Sequence, residues 1–224
     1  MSGRPRSRST GLTRAAIVAA AVELADQEGI AALSMRAVAR RLGVEAMSLY
    51  HHVANKEAIL DGMVDVVHAE FHAPVPGAEW RSELRRRSVS ARQAIKRHPW
   101  ALGLMDSRRN SGWETLLHHD AVLGCLREAG FSLTLTGHAF AVIDAHLYGF
   151  LLQELALPFE PGADLAALGE QILSALPEGQ LPYFREFTLE QALQPGYDFG
   201  DEFEVTLDLV LDALARRLAE ESDG

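Results

Sequence analysis

Between Leu33 and Leu60 the chain reads LSMRAVARRLGVEAMSLYHHVANKEAIL. The stretch gathers arginine, lysine, serine, tyrosine and two histidines, side chains that hydrogen-bond to phosphate oxygens and to base edges. Such chemistry needs a rigid frame, and the spacing supplies one. Ser34 is placed to cap a short helix over about 35–42, and Gly43 to end it, because glycine enters the left-handed backbone region that other residues avoid. A second short helix is expected over about 45–52, carrying small and polar residues where a reading surface would lie. Ala37, Val38, Leu42, Val44, Leu49 and Val53 supply the apolar contacts that lock the two together. Two short helices about a tight turn make a helix-turn-helix, which lays its second helix in the major groove of DNA.

A second set of reactive side chains is the nine histidines. His68 and His72, at i and i+4 on an expected helix, could share one metal, and His118, His119, His138 or His146 could join Cys125 or Asp144. No compact HExxH or paired CxxC spacing accompanies them, so the expectation is solvated or hydrogen-bonded histidines, with no metal and no cofactor. GxSxG, P-loop and GxGxxG motifs are absent and the carboxylates are scattered over solvent faces, which argues against an enzyme.

Charge supports a nucleic-acid partner only through its distribution. The net charge of −10 would repel phosphate. Residues 1–57, however, hold eight basic side chains against five acidic ones, while the rest hold 13 against 26. A small basic head on an acidic body can present one face to DNA. At 224 residues the chain can bury a sizeable core. No apolar run approaches the roughly 20 residues of a membrane span, and the N-terminal MSGRPRSRSTG lacks the apolar region of a secretory signal. The single cysteine, Cys125, excludes an intrachain disulfide and fits a reducing cytosol, so a cytoplasmic protein without a membrane partner is expected.

The elements that would position these residues are all helical. Residues 1–11 read as a mobile basic tail. Helices are expected at about 13–28, 35–42, 45–52, 56–71, 79–97, 99–106, 112–129, 132–156, 163–175 and 201–221, with shorter pieces within 180–194; no segment shows a period-2 strand pattern. Asn55 is a good cap for the helix from Lys56, and Ala73–Gly77 breaks the chain with two prolines and a glycine. In 132–156, Ala141, Ala145 and Gly149 recur every four residues, a small-residue stripe that admits a second helix closely. Leu207, Leu211 and Leu214 form part of an apolar seam on the last helix. Together these predict a four-helix dimer interface, the alternative being that both helices close the domain core.

From LTRAAIVAAAVELADQEGIAALSMRAVARRLGV through GVEAMSLYHHVANKEAIL the chain resembles, without a gap, the DNA-binding domain of the tetracycline-repressor (TetR) family of transcriptional regulators. GAEWRSELRRRSVSARQAIKRHP, LREAGFSLTLTGHAF and the final amphipathic helix resemble that family's tetracycline-repressor-like regulatory domain. The resemblance implies an all-α fold: a helix-turn-helix DNA-binding domain over 12–57 joined to a larger helical effector-binding and dimerisation domain over 58–221. It implies a homodimer that binds a palindromic operator and is released, most often as a repressor, by a small-molecule effector.

Carried over residue by residue, the resemblance gives Arg36 a base-reading role, in keeping with a guanidinium fork that matches both acceptors of a guanine. It places Ala46 and Met47 against bases, where they offer only apolar contact, as to a thymine methyl. Ser48, Tyr50, His51, His52 and Lys56 fall at phosphate-gripping positions; His52 could instead pack between helices, and Arg40 and Arg41 could be solubilising charge. The histidine and carboxylate with which the tetracycline repressor holds its metal–drug complex align with Leu104 and Gln153, so a different ligand is expected. His68, Phe71, Trp100, Leu104, Trp113, Phe140 and Asp144 are the expected walls of its pocket. The competing readings are a metal-responsive regulator and a helical interaction module without an effector.

Overall fold

The computed structural model describes residues 11–107, 112–157, 169, 171, 173–176 and 180–222. Among them every regular element is helical. The basic tail expected at 1–11 lies almost wholly outside the described residues, as does most of the helix expected at 163–175, of which 169, 171 and 173–175 are helical.

The chain divides into two compact units, the first ending at Thr136 and the second beginning at Gly137. The first holds α1 (Arg14–Glu28), α2 (Met35–Leu42), α3 (Ala46–Leu49), α4 (Lys56–His68), α5 (Trp80–Arg97), α6 (Trp100–Ser107) and α7 (Trp113–Glu128). Local chemistry sets the starts of the first helices. Thr13 Oγ1 accepts from Ala16 N at 3.1 Å, Ser34 Oγ from Ala37 N at 3.1 Å, and Asn55 Oδ1 from Ala58 N at 2.9 Å. Gly43 stops α2 in the left-handed region at φ 68°.

The second helix of the motif is shorter than its expected span of 45–52. Regular α-helix ends at Leu49, and Tyr50, His51 and His52 follow as a turn closed by bonds to carbonyls three residues back. The end of α4 tightens in the same way: Glu70 N and Phe71 N donate to Val67 O and His68 O, so α4 stops at His68 rather than Phe71.

Ile17, Ala21, Leu24, Val38, Leu49, Val53, Ile59 and Met63 form the core of the motif, with Leu42, Val44, Trp100 and Leu104 packed on its margin. α4 meets α1 at Gly62, where a side-chain Cβ would come 2.7 Å from a Val18 methyl, so glycine allows the close approach. Farther along α4, Asp65 Oδ1 accepts from both the backbone N and the hydroxyl of Thr115 at 3.1 Å and thereby caps the first turn of α7.

The second unit contains α8 (Leu133–Ala156) beyond its first turn, then α9 (Pro182–Phe187) and α10 (Glu202–Ser222). Phe150 stacks on Phe199 at 4.6 Å and meets Phe203 edge-on at 5.1 Å, while His146 Nε2 bonds the Thr206 hydroxyl at 2.8 Å. Leu207, Leu211 and Leu214 are 0%, 0% and 6% exposed. Leu207 and Leu211, expected in a dimer interface, are covered within the single chain, whereas Leu214 borders an open groove with Val142 and Leu209; the outward leucine and valine of α10 are Leu209 and Val205. An amphipathic seam shows which face is apolar, not which partner covers it. α8 also corrects the statement that no run is long enough for a membrane, since by length and mean hydropathy (1.2) it is long and apolar enough to cross one. Its apolar residues Ile143, Leu147, Phe150 and Leu151 are buried within the chain.

Candidate nucleic-acid interface and effector region

Every side chain expected at DNA is at least partly open to solvent. Arg36 is exposed in the first turn of α2. At α3, Ala46 and Ser48 are half-buried and Met47 is 73% exposed. Tyr50, His51 and His52 line the turn that follows, all exposed, so His52 does not pack between helices. Lys56 is exposed at the first position of α4, beside the Asn55 cap. An exposed methionine there suits an apolar contact to a base. Arg41 is more than solubilising charge: its guanidinium bonds Glu23 Oε2 at 3.0 and 3.2 Å and Gln27 Oε1 at 3.0 Å, tying α2 to α1.

The expected pocket walls come from both units. His68 and Phe71 are buried neighbours with ring centroids 4.9 Å apart. Trp100 and Leu104 are drawn to the margin of the motif's core, and Trp100 Nε1 donates to Asp26 Oδ1 at 2.7 Å. Trp113 is exposed. Phe140 and Asp144 are half-buried on α8, in the second unit.

What the sequence did not disclose is the polar cluster around His68. Its ring lies 6.0 Å from that of His118 and 6.1 Å from that of His119, and Phe71 meets His118 edge-on at 5.5 Å. Arg87 is buried at 1% exposure and its Nε donates to His118 Nε2 at 3.1 Å, so that nitrogen carries no proton. Burial, then the charge of neighbouring groups, lowers His68 to about 4 and His118 to about 3. Two neutral rings and a guanidinium held at buried positions can orient a small polar ligand. His72 turns elsewhere, to Glu83 Oε2 at 2.6 Å, so it has a different partner from His68. Among the described residues no group of three or more His, Cys, Asp or Glu is arranged to hold a metal ion.

A second polar cluster was also unforeseen. His98 Nδ1 lies 2.8 Å from Asp26 Oδ1 and its Nε2 3.2 Å from Glu70 Oε1, and Arg97 pairs with the other oxygen of Glu70. Burial would raise the Glu70 carboxyl, but the bonds from Arg97 and His98 together hold it below the usual range.

Comparison with known proteins places both the head and the larger part of the chain in known families. The family described as bacterial regulatory proteins, tetR family, matches residues 17–63, and the tetracyclin repressor-like C-terminal domain matches residues 73–218. An HTH-type transcriptional regulator of Saccharopolyspora erythraea is 37% identical over 144 residues, 64% of this chain and 61% of the relative, so the match spans less than two thirds of that protein's length. The class A tetracycline repressor from transposon 1721 of Escherichia coli is 31% identical over 90% of this chain and 89% of its own. The crystal structure of the Streptomyces coelicolor TetR family protein ActR in complex with actinorhodin superposes with a TM-score of 0.77 at 25% identity, covering 93% of this chain and 99% of that one. With a helix-turn-helix whose donors face solvent and family matches over residues 17–63 and 73–218, the chain belongs to the TetR family of DNA-binding transcriptional regulators and is not an enzyme.

Proposed function

We propose that this regulator is a homodimeric cytoplasmic repressor that binds a palindromic operator and is released from it by a small-molecule effector. The observation that carries the DNA-binding part is the shared exposure of Arg36, Met47, Tyr50 and Lys56 about α2, α3 and the start of α4. Arg36 and Met47 meet base edges with Ala46, and Ser48, Tyr50, His51, His52 and Lys56 hold phosphates.

The dimer reading rests on the second unit. Val142, Leu152 and Leu155 of α8 and Val205 and Leu209 of α10 are exposed apolar residues. Ala141 and Ala145 beside them are small, and a Cβ added at Gly149 would meet open space. An open groove of about 540 Å³ runs between the helices, its apolar wall made by Val142, Leu209, Val210, Ala213 and Leu214 and its polar lining by Arg216, Arg217 and Glu220. A second copy presenting the same face would bury these residues.

The effector reading rests on the buried His68, Phe71, Arg87 and His118, and draws support from the ActR complex with actinorhodin. An effector acts by binding one arrangement of the two reading heads better than another. The test is selection of bound duplex from a random DNA pool, followed by a screen of small aromatic ligands for those that release it. Absence of any sequence-preferring binding at low salt rejects the operator; failure of every ligand that occupies the protein to change DNA affinity rejects effector control.

A further inference from the structure

His98 sits at the C-terminal end of α5, 9% exposed, with a carboxylate on each side of its ring. A carboxylate oxygen only accepts, so a ring nitrogen bonds its carboxylate by donating its N–H to it. Asp26 belongs to the last turn of α1, Glu70 follows α4 by two residues, and the Asp26 oxygen that meets His98 also accepts from Trp100 Nε1 at the start of α6. A single node of Asp26, Glu70, Arg97, His98 and Trp100 thus joins α1 to the end of α4 and to the α5–α6 junction.

We propose that His98 is a positioning residue for DNA binding, setting the angle of the α1–α3 reading head against α5 and α6 by bridging Asp26 to Glu70. The proposal rests on the reading of the protein as a dimeric operator binder. Apolar contact of Trp100 and Leu104 with the head's core holds the two parts together but fixes no direction, whereas hydrogen bonds are directional. The side chains of Asp26 and Glu70 are 28% and 32% exposed, so water can take over their bonds and the node can open without unfolding the head. A two-fold reader needs both heads at one spacing, and every fraction of time spent with a node open raises the apparent Kd in proportion.

The test compares the unaltered chain with His98→Gln, Asp26→Asn and His98→Gln/Asp26→Asn. Each is titrated against a duplex selected by the unaltered chain and against a random duplex of equal length, and amide exchange is followed without DNA. His98→Gln is expected to weaken the selected duplex about tenfold, the equivalent of one hydrogen bond. The random duplex and the salt slope stay unchanged, and the double variant is no weaker than His98→Gln. Without DNA, α1 amides exchange about tenfold faster while those of α7 keep their rates, following the same conversion. Equal weakening on both duplexes, or unaltered affinity and exchange, overturns the proposal. If His98→Gln does not fold, Asp26→Asn, at an exposed residue, carries the same measurements. If the unaltered chain selects no duplex, the operator reading falls and the exchange rates of α1 alone decide the node.

Discussion

The reading head and the last two long helices treat their surfaces in opposite ways. In the head, Val38, Leu49 and Met63 are sealed inside and the solvent face carries Arg36, Tyr50, His51, His52 and Lys56, with Met47 the one large apolar side chain among them. On α8 and α10 an apolar interior is matched by an apolar exterior: Leu207 and Leu211 face in while Leu209 and Val205 face out. Polar donors outside suit a partner made of phosphates and base edges; leucine outside suits a partner of the same kind. Histidines divide as well, His51 and His52 to solvent, His68 and His118 to the interior.

The sharpest way to break this contrast is on α10. Leu209→Asp should separate the protomers, halving the mass seen by light scattering at low micromolar concentration, with the fold intact by circular dichroism. Leu207→Ala should leave the dimer and lower stability by about 2–5 kcal/mol through the cavity it opens. If both substitutions acted alike, the inward and outward faces would not be distinct.

Acid tests the division of histidines. A ring lowered to about 4 opposes protonation in the folded chain but not in the unfolded one. Stability is therefore full above about pH 6.5 and is lost as pH falls towards 4, by about 3 kcal/mol for His68. His68→Leu should flatten the fall of the thermal midpoint over that range, and His51→Leu should leave it unchanged; a slope unaltered by His68→Leu would contradict the buried neutral ring.

Smaller effects separate the roles within the head. Arg36→Ala should lose about 1–3 kcal/mol of preference at one base pair per half-site, while Lys56→Ala weakens all sequences alike and lowers the salt slope by about one. Uniform weakening by Arg36→Ala would move it to the phosphate group. Smallest of all, Arg41→Ala removes half-exposed bonds to Glu23 and Gln27 and should lower the melting stability by no more than about 1 kcal/mol.

What was legible in the sequence was local. Ser34, Gly43 and Asn55 declare helix ends through chemistry within three residues of themselves, and the structure places those ends where the sequence puts them. The fold class and the exposed face of the head follow from the same short-range patterns. The short α3 was missed because its last turn tightens through bonds to carbonyls three residues back, which the side-chain pattern does not mark. Leu207 and Leu211 turn inward, which periodicity does not reveal because it cannot distinguish a chain's own core from a partner's surface. His98 and Arg87 left no trace, since their partners lie 72, 28 and 31 residues away and nothing in the spacing brings them together.

The bond from Trp100 to Asp26 makes the molecule its own optical gauge. Of its three tryptophans, Trp80 lies against Phe131 and Trp113 is open to solvent. With phenylalanine at both, the remaining indole has its N–H held by a carboxylate of the first helix, and its emission changes when water replaces that carboxylate. Rapid-mixing fluorescence on unlabelled protein would then time the release of α1 against the arrival of DNA or of an effector, giving the order of events as well as their equilibrium.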